Sequence, residues 1–430
     1  MKPGPLAGLT VLRFAHSYES GGGTERYLDD LDRALLERNA MTIVRLHLTH
    51  SPPDAPPPEI SIGQGRLIRI PLLIIPGRSD SPSSDEQSLR FRLKQLARDW
   101  VLYNPLVWRA YGARWTAALR LGRESGQAAA AGPAAAAVLH DLQIDLAVLH
   151  FFGGADAEDV LTEARKKGVP FVLLNHYSND RFLHLAIRKH AMLANGVAGV
   201  NGLELPSYVR PGFANLSDGI DTEFFRRERA RPLRNPPAGP IVLLPARVVQ
   251  EKGQMDLVRA VASLRRSGLE CSVAFAGRVD SSAFVDTLKQ EIAQAGMTAS
   301  VHFLGNLTLE ELRDWYAAST IVAFPTYHHE GLGRVLVEAE AMGVPVIAYA
   351  TGGVPEAFVP GQTGHLLKTG DVEGLAGKLR ELLSSPATCQ AMGARGRADA
   401  EERFSLAALA DRHERFYRRV IADFRKVAGG

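Results

Sequence analysis

Short apolar runs rich in β-branched residues alternate along this chain with longer stretches whose apolar residues recur every three or four positions. The first pattern predicts strands and the second amphipathic helices. In the first half, Leu9–Phe14, Thr42–Leu48, Leu146–His150, Val169–Leu174 and Gly196–Val200 read as strands. In the second half, Ile241–Leu244, Cys271–Ala276, Ser300–Leu304, Thr320–Phe324 and Pro345–Tyr349 do the same. A helical period covers Thr24–Arg38, directly after Gly21, Gly22 and Gly23. Strands alternating with helices imply parallel sheets with right-handed crossovers. Runs as continuously apolar as Ile241–Leu244 fit strands buried on both faces. The expected fold class is α/β, with two Rossmann-like doubly wound domains facing a cleft. Ligands of such sheets bind beyond the carboxyl ends of the strands.

At 430 residues the chain exceeds one ordinary core. Arg226–Pro240, rich in Arg and Pro with little to bury, reads as a linker. The expected division is a first domain over 1–225, a linker over 226–240 and a second domain over 241–405, with a helix at 406–430 packing back on the first. Ser51–Ser88 is Pro- and Ser-rich, with a short strand at Arg66–Ile70, and Gln127–Val138 is an Ala run without chemistry of its own.

Composition narrows the function. Hydrophobic residues at 46% and charged residues at 23% exclude a mainly disordered or fibrous chain. Fifty Lys and Arg against 47 Asp and Glu leave +3, so no overall basic field gathers nucleic acid. Cys271 and Cys389 form no C-x-x-C, so neither a disulfide framework nor a zinc or redox motif is expected. Both read as small buried hydrophobes suited to a reducing compartment. No apolar run approaches the ~18 residues of a membrane span. The N-terminus makes a poor signal peptide and a fair first strand, so a cytoplasmic location is expected.

Familiar motifs are absent: there is no G-x-G-x-x-G, P-loop, His-Glu-x-x-His or G-x-S-x-G. Asp30-Leu31-Asp32 has the form of a metal-binding pair but sits in an amphipathic pattern, so a solvated helix face is expected. The informative stretch runs from Phe324 to Glu356. There a strand ends at Pro325, a loop carries His328, His329 and Glu330, and Gly331, Leu332 and Gly333 open a helix. Glycines allow close backbone approach and a helix start attracts anions, which suits a phosphate. Were residues 330–338 helical, Glu330 and Glu338 would stand roughly 12 Å apart along the axis, too far for shared acid/base work. They could instead bracket an elongated ligand. The alternative is that Glu330 caps the helix and Glu338 lies on its exposed face. Arg247 and Lys252, at the first strand–helix turn of the second half, are two cations placed to clamp a pyrophosphate.

Together these segments resemble the retaining, nucleotide-sugar-dependent glycosyltransferases of family 4, which have the two-domain GT-B fold. Glu330 and Glu338 are similar to that family's E-x7-E element. Ala246-Arg247 through Glu251-Lys252-Gly253 resembles its G-R-x-x-x-x-K-G loop, and Gly352-Gly353-Val354-Pro355-Glu356 its G-G-x-P-E turn. Asn215 to Phe225 resembles the I-P-N-G-V-D-x-x-x-F segment before the linker. The resemblance implies that Arg247 and Lys252 bind the donor diphosphate and stabilise the leaving group. It implies that Glu330 contacts donor-sugar hydroxyls, with Gly331, Leu332 and Gly333 beside it, and that Glu338 holds the ribose. Gly22 and Gly23 would approach the diphosphate from the first, acceptor-side domain, and Leu304 completes the donor set. His176 matches a family histidine near the donor sugar, and His150 ranks second to it. Departures are Leu332 for a usual Phe, Ala246 for a Gly, Asp218 for an Asn, and the unusual pair His328-His329.

The implied activity is hexosyl transfer from a nucleotide diphosphate sugar to an acceptor hydroxyl or other nucleophile, retaining anomeric configuration. No metal or other cofactor is implied, because cations and a helix N-terminus would meet the charge on the leaving diphosphate. A sugar-nucleotide epimerase of the same two-domain build is the alternative. Leu89–Glu124 carries eight Arg and Lys against Asp99 and Glu124, with Trp100, Trp108 and Trp115 among them. It fits two helices packing Trp inward, an acceptor pocket, or peripheral contact with the inner face of a membrane. Donor base, donor sugar, acceptor and oligomeric state are not legible in the sequence.

Overall fold

A computed structural model of the chain describes residues 4–15, 23–49, 59–73, 138–150, 155–176, 194–202 and 213–428. Gly22 and the whole basic, Trp-containing stretch of residues 89–124 lie outside the described residues.

The first half builds one sheet from eight strands: β1 (Thr10–Ala15), β2 (Thr42–Thr49), β3 (Glu59–Ile62), β4 (Gly65–Leu73), β5 (Leu146–His150), β6 (Phe171–Asn175), β7 (Gly196–Gly199) and β8 (Phe213–Asn215). Their order is β3-β4-β2-β1-β5-β6-β7-β8, and every pairing is parallel except the β3/β4 hairpin. That hairpin departs from the all-parallel expectation; a two-residue turn at Gly63-Gln64 suffices to reverse the chain, whereas a parallel neighbour needs a crossover. Helices α1 (Gly23–Arg38) and α2 (Ala155–Lys166) are the described crossovers of this sheet.

The second half places β9 (Ile241–Leu244), β10 (Ser272–Ala276), β11 (Val301–Gly305), β12 (Ile321–Phe324), β13 (Val346–Tyr349) and β14 (Gly364–Leu367) in a six-stranded parallel sheet of order β11-β10-β9-β12-β13-β14. Between these strands run α3 (Gln254–Arg266), α4 (Ser282–Gln294), α5 (Leu309–Ala318) and α6 (Arg334–Ala341). After β14 come α7 (Val372–Leu383), α8 (Pro386–Phe404) and α9 (Leu406–Ala428). Local chemistry explains the helix starts. Thr308 and Glu311 form a capping box on α5, Asp371 caps α7, and Ser385 followed by Pro386 opens α8. The four residues of β9 are all buried, because helices cover both faces of the sheet.

Residues 226–240 contain no buried position. The chain crosses back at Ser405, where α9 leaves α8 and lays Leu409, Phe416, Tyr417 and Val420 into the core that holds Leu28, Leu31 and Leu35 of α1. Arg397 pins the outward crossing by donating to the carbonyls of Thr222, Phe225 and Ala341. Cys271 and Cys389 are both buried, and burial pushes the Cys271 thiol up to about 11. No helix among the described residues is long and apolar enough to cross a membrane.

Candidate active site

Both sheets reverse their winding direction at one point, between β1 and β5 in the first and between β9 and β12 in the second. In open α/β sheets a crevice forms at the carboxyl ends of the strands beside such a point. Here the two crevices face each other across a cavity of about 430 Å³. The first sheet contributes Arg26, Tyr27 and His176; the second contributes Arg247, Lys252, Glu330, the turn from Gly331 to Gly333, and Glu338.

The β9–α3 turn places Lys252. Gly253 closes a short 3-10 turn at φ +78, and a Cβ there would stand 1.9 Å from the Pro325 carbonyl oxygen, so only glycine fits. The same turn is tied to the next loop, because the Glu251 carbonyl accepts from the amide of Tyr327 at 2.8 Å and the Thr326 hydroxyl at 3.2 Å. Lys252 is thereby held with its Nζ 2.5 Å from Oε1 of Glu330. Arg247 also lines the cavity, is half-exposed, and donates to Asp280.

Glu330 does not cap α6. That helix starts at Arg334 behind a left-handed Gly333, so residues 330–333 are a turn and the axial spacing assumed for Glu330 and Glu338 does not apply. Nor does Glu338 lie on an exposed face: it is fully buried, accepting from Arg26 of the first domain and from the Tyr316 hydroxyl at 2.9 Å. At Gly331 the two halves come close together; a Cβ there would lie 2.4 Å from the His176 carbonyl oxygen. Asn201 donates to the Gly331 carbonyl, and the Gly353 amide to that of Glu330 at 2.9 Å. Glu356, the acid of the G-G-x-P-E turn, accepts from the Gly202 amide at 2.8 Å and from Asn215 at 2.7 Å. It is therefore a strut between the halves.

His176 directly follows β6 and lies beside Tyr27, with ring centroids 4.7 Å apart. Its Nε2 lies 2.8 Å from Nδ1 of His150, which ends β5 and is buried behind it. Burial, reinforced by Arg13, pushes His176 down to about 3, and burial with the neighbouring His176 lowers His150 as well. Both rings are thus neutral, and one donates to the other. Burial and Lys252 also lower His328, which lines the cavity with His329.

One expected residue that the structure describes, Leu304, stands apart from the rest and is not among the cavity-lining residues. It sits on β11, the outer strand of its sheet, and packs against the cluster around Tyr316 and Phe324. Gly23 forms the first residue of α1, but its partner Gly22 lies outside the described residues. Leu332 lines the cavity while packing into the same core as Leu336.

The expected solvated face at Asp30 and Asp32 is overturned. Asp32 is 1% exposed and accepts from Arg13 and Arg45, which arrive on β1 and β2. Asp30 accepts from Arg334 at 2.6 Å, and the same guanidinium donates to Asp218 at 2.6 Å. Burial raises both carboxyls against the pull of Arg334. The sequence reading missed Arg26, Arg334 and Tyr316. Only Arg26 had a local signal: it is a cation in the first helical turn after the glycine run.

The family model for glycosyl transferases group 1 matches residues 225–399, the segment that carries Arg247, Lys252, Glu330 and Glu338. That segment, less than half of the chain, is similar to the group 1 glycosyltransferases. The chain has two facing sheets, and these are the GT-B fold of such enzymes. Over 194 residues it is 34% identical to a GDP-mannose-dependent alpha-(1-6)-phosphatidylinositol monomannoside mannosyltransferase of Mycolicibacterium smegmatis, covering 43% of this chain and 50% of that protein. The chain spans about half the length of the curated relatives it matches first. A glycosyltransferase of Rickettsia africae shares the fold at TM-score 0.68 and 16% identity, over 96% of this chain and 98% of that one. Anabaena HepE in complex with UDP does so at TM-score 0.66 and 17% identity, over 96% and 100%.

Proposed function

We propose that this chain is a group 1 glycosyltransferase that moves a hexose-type sugar from a nucleotide diphosphate sugar to an acceptor hydroxyl, with retention and without a metal. The observation that carries this reading is the Lys252–Glu330 pair beside Arg247 and Glu338 in one interdomain cavity. A donor of this class is an anionic diphosphate flanked by two polyols, and the cavity offers cations flanked by two carboxylates. Arg247 and Lys252 would take the diphosphate, Glu330 the sugar hydroxyls and Glu338 the ribose. His176 would face the sugar as a neutral ring.

Breaking the bond between sugar and phosphate places negative charge on the leaving diphosphate. Lys252 and Arg247, with the amides of the turn from Gly331 to Gly333, are fixed beforehand where that charge would develop. Preorganised groups of this kind favour the transition state over the ground state. Retention would follow from acceptor attack on the face the diphosphate leaves. The GDP-mannose dependence of the mycobacterial relative and the UDP complex of the Anabaena neighbour support a nucleotide-linked donor. A phosphatidylinositol-type acceptor is the first to test, given the acceptor in that relative's name.

The test is a melting-temperature screen against UDP, GDP, ADP and dTDP. It is followed by incubation of the matching sugar donor and acceptor with excess chelator, and an anomeric NMR spectrum of the product. A retained anomeric centre formed despite chelator is expected. An inverted product, or release of an epimer without acceptor, would overturn the reading.

A further inference from the structure

Arg26 is the cavity-lining Lys or Arg that the first domain contributes among the described residues, and its partner is Glu338 of the second. Glu338 is fully buried, with one oxygen accepting from Arg26 and the other from Tyr316. Tyr316 is itself fully buried, so the side of the carboxylate that a ligand can reach is the side Arg26 covers. Under the function proposed above, on which this inference rests, that carboxylate would receive the ribose. Ribose and Arg26 then compete for one acceptor.

A buried carboxylate without a counter-charge is costly, which explains why a cation from across the cleft pairs with it. The same cost applies in reverse. A guanidinium displaced into the cavity needs an anion, and in a nucleoside diphosphate the anion adjoins the ribose. Arg26 shares its cavity with Arg247 and Lys252, and a planar guanidinium pairs with phosphate oxygens in a bidentate fork.

We propose that Arg26 is an exchange residue: it neutralises Glu338 in the empty site and passes to the donor diphosphate when ribose takes Glu338. It thereby sets specificity for a ligand that carries both parts. A nucleoside without phosphates displaces Arg26 and leaves it unpaired; pyrophosphate without ribose leaves Glu338 unpaired. Only the joined molecule satisfies both charges, and the exchange re-pairs a contact that spans the two domains.

The test is Arg26→Gln, which removes the charge, with Arg26→Lys, which keeps it. Binding of UDP and GDP, and of uridine and guanosine, is measured by NMR or calorimetric titration on full-length protein whose folding is checked by circular dichroism. For the diphosphate that wild type prefers, Arg26→Gln should weaken binding about ten- to a hundredfold, as loss of one charge-assisted hydrogen bond predicts. The matching nucleoside should bind more tightly, by about threefold or more, since ribose no longer competes with an ion pair. Arg26→Lys should return diphosphate affinity to within about tenfold of wild type. Equal losses for diphosphate and nucleoside in Arg26→Gln would make Arg26 a structural residue and overturn the inference while sparing the donor reading. Failure of wild type to bind any nucleoside diphosphate would overturn both.

Discussion

Lys252 and Glu330 lie 78 positions apart in sequence, yet their Nζ and Oε1 atoms are 2.5 Å apart. Each neutralises the other. Replacing either with Ala should lower kcat/KM for transfer at least about a hundredfold, the scale of losing one preorganised electrostatic contact. Because the two act as one unit, the double variant should lose little more than the worse single one. Steady-state rates with the donor found by melting shifts measure this. Turnover near wild type in either single variant would remove the pair from the site.

Asp32 sits under two guanidinium groups, Arg13 and Arg45, with none of the three more than 6% exposed. Asp32→Ala would take the carboxylate from the fully buried Arg13, while Arg45 would keep its pair with Asp29. Breaking a buried pair in this way costs about 3 to 5 kcal/mol. Guanidinium chloride unfolding should register that loss; a change under about 1 kcal/mol would fit a surface pair instead.

Gly253 combines φ +78 with a position where a Cβ would touch the Pro325 carbonyl. Gly253→Ala should cost at least about 1 to 3 kcal/mol from backbone strain alone. Relieving the contact moves Lys252, so nucleoside diphosphate affinity should fall together with the melting temperature. A variant that loses neither would show that the turn adapts.

Glu340 follows Glu338 by two positions but faces α8, fully buried near Thr363 and Arg403. Burial pushes its carboxyl up to about 8, against an ordinary value of 4.5. The folded state therefore holds this proton more tightly than the unfolded chain does. The associated stability is complete below about pH 4.5 and is lost as pH rises toward about 8, at no more than about 1.4 kcal/mol per pH unit. Glu340→Gln should flatten the decline in melting temperature over that window. An unchanged slope would assign the decline to other groups.

His176, pushed down to about 3, stays neutral across the range in which histidines usually titrate. The pH profile of kcat/KM should show no limb belonging to it between about pH 5 and about pH 8. A limb in that range that disappears in His176→Gln, with the rest of the profile kept, would contradict this assignment.

The strands were legible wherever burial on both faces makes a run apolar without interruption. Leu146–His150 and Ile241–Leu244 begin and end where the sequence predicts. The short strands β3, β8 and β14 are not legible in the sequence: all three are edge strands with partly exposed residues, and β8 has only three residues. Arg247, Lys252, Glu330 and the glycines around them were readable because loops at the carboxyl ends of β9 and β12 meet in any doubly wound sheet. Leu304 also lies at that end of its sheet, but on a strand two away from β9, which is why the cavity lining does not include it. Asp30 and Asp32 were misread because their partners arrive on β1, β2 and α6, and helix periodicity contains no information about those.

The sequence by itself determined two largely parallel sheets, a polar connecting segment with nothing to bury, and three charged residues, Arg247, Lys252 and Glu330, in loops that follow adjoining strands. Those follow from hydrophobic period, turn residues and local spacing. The tertiary structure decided which charges pair. Arg26 meets Glu338 across 312 positions and Arg334 joins Asp30 to Asp218, because the energy of a buried charge depends on what the fold places beside it. That dependence turned an expected surface acid pair into a buried strut, and gave an arginine from the first domain a place in the site of the second.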